Sequence, residues 1–290
     1  MGGVHGAPGN WSSIRLRALS SVTGLALGLA VALSSAGPAL AEPPATEADA
    51  PGYATPVTAW SFNLYEPSVV RFQDPDWRAC AAAATLSMLN TIAFGSSEDQ
   101  FLPRGDRVLR TTFRWQIDTS FATQSKILGY SRANMTMGWD SPGTDPHGWR
   151  NGLNYFGWGS INAGIYRDSV YSTFDAAARA VVISLARYKR PVGILGWAGS
   201  HAQYITGYTV QGEDPRVSDD WTLHGVFLTD PLQADQMRNE FVTYNDWKYG
   251  SPYRRFSPYW HKESWIRDPI DGAIGGREWW GKFVIIDAVK

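Results

Sequence analysis

An α+β fold is predicted for this 290-residue chain by three features of its sequence. An alanine-rich helical stretch opens the ordered part at residues 79–92. Strand-like runs dominate after residue 192, joined by a tight loop at Ala198-Gly199-Ser200 and a polar turn over residues 211–220. A hydrophobic content of 44% with only 18% charged residues is enough to fill a substantial core between these parts. The predicted layout is an N-terminal helical part packed on a mostly antiparallel sheet.

Residues 1–41 read as an export signal, with an uncleaved N-terminal anchor as the alternative. Arg15 and Arg17 supply a positive n-region, residues 18–33 are largely apolar, and Ala39-Leu40-Ala41 provides small residues for cleavage before Glu42. Residues 42–57, rich in Pro, Ala and acids, read as a flexible linker, leaving residues 58–290 as a single domain. After cleavage no segment approaches the ~18 consecutive apolar residues of a membrane span, so an exported protein without a membrane partner is expected. Residues 1–41 hold two of the 26 basic residues and no acid, leaving 24 basic against 27 acidic. That balance gives no electrostatic case for nucleic acid.

The first ordered stretch, residues 60–72, is expected to hold a short strand, with Val69, Val70 and Phe72 among its apolar residues. Asp74 or Asp76 can cap the following helix by accepting from its first backbone N–H groups. That helix carries four consecutive alanines and then Leu86, Met88, Leu89 and Ile92, so its slim first half can sit close against a sheet. Residues 119–132 have helical character, residues 138–148 read as loop, and residues 147–156 as a short helix ending at a glycine turn. Ser172 or Thr173 caps a helix from Phe174 to about Lys189, whose apolar stripe includes Ala178, Val181, Val182 and Leu185, and Pro191 breaks it. Strands are then expected at residues 192–197, 201–210, 221–229 and 281–287, with a Tyr- and Trp-rich loop region before the last.

Chemistry concentrates on Cys80, the one cysteine in the chain. It allows no internal disulfide and no cysteine-based zinc cluster. Two readings of such a thiol are open: a small buried hydrophobe, or a nucleophile activated by the free N–H groups of the helix start. A nucleophile needs a histidine to share its proton, a group to orient that histidine and donors for an oxyanion. His201 opens a strand just after the glycine-serine turn, and Asp230 closes the next strand. In an antiparallel pair these two ends lie side by side. Gln73, seven residues before Cys80, can donate to an oxyanion together with the Cys80 backbone N–H.

Other features carry less. His147, His224 and His261 with Asp145 have no metal-ligand spacing such as HExxH, and no metal or cofactor is implied. Asp214, Asp219 and Asp220 read as a solvated acidic loop. Asn134-Met135-Thr136 fits a glycosylation sequon that matters only in a eukaryote, and the signal style is bacterial. Walker, dinucleotide-binding and Gly-x-Ser-x-Gly patterns are absent.

The ordered set Gln73, Cys80, the run Pro191-Val192-Gly193-Ile194-Leu195 into His201-Ala202 and Thr206-Gly207-Tyr208, and Thr229-Asp230-Pro231 resembles the C39-like family of secreted bacterial cysteine peptidases, with a papain-like fold. Gly143-Thr144-Asp145-Pro146 and Gly148-Trp149 are also similar to secreted members of that type. The resemblance implies Cys80 as nucleophile, His201 as general base and acid, Asp230 as its orienting group and Gln73 as oxyanion donor. It implies a peptide or protein substrate, and the same thiol also suits acyl transfer. The alternative class is a non-catalytic module that uses the Tyr and Trp residues of 244–280 to bind peptide or cell-wall material.

Overall fold

A computed structural model describes residues 58–67, 70, 73, 78–95, 108–111, 114–117, 124–136, 143–232, 237–260 and 278–290. Its contacts divide the chain into Met1–Tyr53 and Ala54–Lys290, and every described residue belongs to the second unit. The expected signal and linker, and the capping aspartates Asp74 and Asp76, lie outside the described residues.

The helices are α1 (Cys80–Gly95), α2 (Gln124–Ala133), α3 (Pro146–Trp158), α4 (Phe174–Tyr188) and α5 (Tyr244–Tyr249). The strands are β1 (Ala59–Asn63), β2 (Val108–Thr111), β3 (Arg114–Ile117), β4 (Tyr166–Tyr171), β5 (Val192–Gly196), β6 (His201–Gly212), β7 (Trp221–Thr229), β8 (Glu240–Thr243) and β9 (Phe283–Ala288). Seven strands form one sheet in the order β4-β9-β5-β6-β7-β8, with β1 added on β6, and each of these pairings is antiparallel. β2 and β3 form a separate hairpin. The architecture is α+β.

The long strand β6 is the axis of this sheet. β7 covers one edge, while β5 and β1 share the other end to end, β5 along residues 201–205 and β1 along 207–211. The handover falls at a register shift between Ile205 and Gly207. A Cβ on Gly207 would stand 2.2 Å from the Phe62 carbonyl oxygen, so only glycine lets β1 approach.

Alternation along the strands feeds two cores. Leu195, Ala202, Tyr204, Val284 and Ile286 pack with α1, α2 and α3 on one side. Ile194, Ile205, Val210 and Ile285 pack with α4 and α5 on the other. The period of two along each strand places neighbours on opposite faces, which is why one sheet can serve both helix layers. Helix α1 is buried along its described length from Ala81 to Ala93, and its alanines permit that close fit.

Several elements differ from expectation. The first strand is confined to Ala59–Asn63, and Val70 is buried outside any strand, while Val69 and Phe72 lie outside the described residues. An unexpected edge strand, β4, pairs with β9. The aromatic region before β9 is not all loop, because it holds β8 and α5 and buries Trp247, Phe256, Tyr259 and Trp279 in the cores. Among its described residues, the exposed aromatics are Phe241, Tyr249, Tyr253 and Trp260. Among the described residues no helix is long and apolar enough to cross a membrane.

Candidate active site

Cys80 is the first residue of α1, and the Ala79 carbonyl already accepts the first helical bond from the Ala83 N–H at 2.9 Å. The N–H groups of this first turn have no partner inside the helix, so the thiol sits in their positive field. Cys80 is half-buried among the α1–α3 core residues and shares a hydrogen bond with His201. Burial pushes the thiol pKa up, but His201 and the backbone N–H groups of Ala202 and Ala81 more than offset it. The net shift is downward, toward thiolate.

His201 is buried at the start of β6, directly after a strained connection from β5. Trp197, Ala198 and Gly199 all adopt positive φ, at 51°, 57° and 93°. Such conformations cost roughly 1–2 kcal/mol for each non-glycine residue. The 251–260 segment holds the turn in place. Ala198 N–H donates to Ser257 Oγ at 2.9 Å, and Trp260 N–H donates to the Ala198 carbonyl at 2.7 Å. The turn sets Trp197 against the His201 ring, with centroids 4.5 Å apart, and Tyr253 meets Trp197 edge-on.

Asp230, directly after β7, lies 2.7 Å from His201 Nε2 through Oδ1 and is fully buried. Antiparallel pairing of Tyr204 with Thr229 brings these strand ends together. Nε2 being committed to Asp230, the hydrogen bond with Cys80 falls to Nδ1. Burial pulls the His201 pKa down, but Asp230 and Cys80 reverse this and raise it to about 9. Asp230 moves the other way: burial raises its pKa, and His201, Gln203 and the Leu232 N–H bring it below its ordinary value. A depressed thiol beside an elevated imidazole favours a thiolate–imidazolium pair at neutral pH.

Gln73 is half-buried, and its backbone N–H donates to the Pro231 carbonyl at 2.8 Å, one residue beyond Asp230. The structure therefore brings all four expected residues to one end of the sheet. It also adds Gln203, which sequence reasoning missed. Gln203 follows His201 by two residues, so the strand period places both on the same face, and that was a readable signal.

The remaining histidines go elsewhere. His224 is exposed and pairs with Gln211 at 3.1 Å, away from His201. His261 lies outside the described residues. His147, in the first turn of α3, contacts Asp168 through Nδ1 at 2.8 Å and Glu278 through Nε2 at 2.9 Å. Asp145 caps α3: Oδ1 accepts from Gly148 N–H, and Oδ2 accepts from both Thr136 donors. This cap accounts structurally for Asp145 and Gly148 within the Gly143–Trp149 stretch. Among the described residues no group of three or more His, Cys, Asp or Glu converges as metal ligands. No protein-family model matches the chain, and no curated protein or solved structure shows significant similarity to it.

Proposed function

We propose that the protein is an exported thiol hydrolase of papain-like organisation that cleaves peptide or isopeptide amide bonds. The observation that carries this reading is the connected order of Cys80, His201 and Asp230, with the thiol pKa depressed and the imidazole pKa raised. A structural cysteine packed among alanines has no need of a buried histidine held by a carboxylate.

In this reading the Cys80 thiolate attacks the amide carbonyl carbon, forming a C–S bond and moving the carbonyl π pair onto oxygen. The Cys80 backbone N–H, free at the helix start, and the Gln73 amide donate to that oxyanion. Collapse breaks the C–N bond while the His201 imidazolium gives its proton to the departing nitrogen. Neutral His201 then takes a proton from water as the water oxygen attacks the thioester. Expulsion of the thiolate releases the carboxylic acid and restores the ion pair. Asp230 holds the ring in the tautomer and orientation this cycle needs. If an amine enters in place of water, the same acyl-enzyme gives acyl transfer.

The test is turnover of a peptide and isopeptide substrate library by the mature protein, Cys80→Ala and His201→Ala. Loss of at least about 10³-fold in both variants is expected. Hydrolysis that persists in Cys80→Ala overturns the reading. Export is tested by mass spectrometry of the secreted chain, whose first residue is expected to be Glu42.

A further inference from the structure

We propose that Gln203 is a positioning residue of this site, bridging the Asp230 carboxylate to the segment that walls His201. The inference rests on the thiol-hydrolase reading and names a further part of its machinery. Gln203 is fully buried in β6, and its Nε2 donates to Asp230 Oδ2 at 2.9 Å and to the Tyr253 carbonyl at 2.8 Å. Both neighbours are acceptors, so the amide has one sensible orientation, with the nitrogen toward them. Its own Oε1 is buried without a hydrogen-bond partner among the described residues.

That arrangement is expensive for a residue whose task is packing. An unsatisfied buried carbonyl is destabilising, and Met fills similar space without it. The gain lies in what the two donated bonds control. Asp230 Oδ1 is taken by His201 and the Leu232 N–H, while Gln203 is the donor on Oδ2. With both oxygens held, the carboxylate cannot turn about its Cβ–Cγ bond, and Oδ1 stays aimed at His201 Nε2. The second bond fixes the Tyr253 backbone, whose ring meets Trp197 at 5.1 Å, and Trp197 in turn lies on His201. One amide thus secures both supports of the imidazole, the carboxylate on Nε2 and the aromatic wall on its face. Gln203 touches no reacting atom; it acts through Asp230 and Tyr253.

The experiment measures the rate of Cys80 alkylation by iodoacetamide in the folded protein across pH, which needs no substrate. In the wild type the rate at about pH 6 is already close to its value at about pH 9.5, because the ion pair supplies thiolate. Gln203→Met is expected to slow the reaction about tenfold at pH 6, as the thiolate titration moves from below that pH to above it, and to leave the rate at pH 9.5 unchanged. Equal slowing at both pH values, or rates within twofold of wild type throughout, overturns the proposal. Should Gln203→Met fail to fold, Gln203→Asn decides in its place, since it keeps an amide but stops one methylene short of Asp230. A wild type that is slow at pH 6 and indifferent to His201→Ala would instead sink the thiol-hydrolase reading itself. Gln203 failing alone leaves the His201 effect intact.

Discussion

Among the described residues, two histidine–aspartate pairs, one buried and one half-buried, are nearly alike in the length of their shared contact and opposite in what the second ring nitrogen faces. His201 lies 2.7 Å from Asp230, and His147 lies 2.8 Å from Asp168. Both histidines have raised pKa values and both aspartates lowered ones. In the first pair the other nitrogen meets the Cys80 thiol. In the second it meets the Glu278 carboxylate, and Arg150 adds a further bond to Asp168 at 2.7 Å. Burial lowers the His147 pKa, but Asp168 more than reverses this, so the cation is favoured there. An imidazole between a carboxylate and a thiol has a proton to exchange. A histidine–aspartate contact alone therefore says little about catalysis, and the third group decides.

Replacing the two histidines separates these roles most sharply. His201→Ala is expected to reduce amide hydrolysis at least about 10³-fold, whereas His147→Gln leaves hydrolysis per folded molecule unchanged. Comparing turnover with the folded fraction from circular dichroism checks both. The aspartates follow at smaller amplitude. Asp230→Asn should slow Cys80 alkylation near pH 6 about tenfold or more, since the imidazolium loses its counter-charge. Asp168→Asn should leave alkylation alone and destabilise the fold by about 2–3 kcal/mol, measured by urea unfolding, because His147⁺ and Arg150 lose a buried partner.

Stability against pH tests the second pair by itself. The raised His147 pKa means its stabilisation is full below the unfolded histidine value of about 6.5 and is lost as pH rises through the folded value. The lowered Asp168 pKa means its share is full above about 3.9 and is lost as pH falls through the folded value. The gap in melting temperature between wild type and His147→Gln should be widest between about pH 4 and 6.5 and should narrow at alkaline pH. With Glu278 half-exposed, the gap should correspond to about 1–2 kcal/mol at most. A gap that grows with pH would contradict the assignment of His147 as a cation.

What the sequence made legible was local. Cys80 stands at a helix start marked by four alanines, and His201 and Asp230 stand at strand ends marked by a glycine-serine turn and by Asp-Pro. Each cue lies within a few residues of the side chain it points to. Gln203 was half legible, through its period with His201, but its second partner is 50 residues away at Tyr253 and no local pattern announces it. The His147 cluster was illegible for the same reason. Asp168 lies on β4, an edge strand whose Tyr166-Arg167-Asp168-Ser169-Val170-Tyr171 run shows weak apolar alternation, and Glu278 is contributed from just ahead of β9. The burial of Trp247, Phe256, Tyr259 and Trp279 depends on both helix layers closing over the sheet, so composition alone left those rings open to a binding role.

With His201 holding the balancing charge, Cys80 is expected to be a thiolate at neutral pH. Since the chain has one cysteine, the ultraviolet absorbance of thiolate, with Cys80→Ala subtracted, reports this residue alone. Titrating the folded protein should show the absorbance present well below the ordinary thiol value of about 8.5, with that early transition abolished in His201→Ala and unaltered in His147→Gln. Absorbance that appears only near or above about pH 8.5, unaffected by His201→Ala, would contradict it.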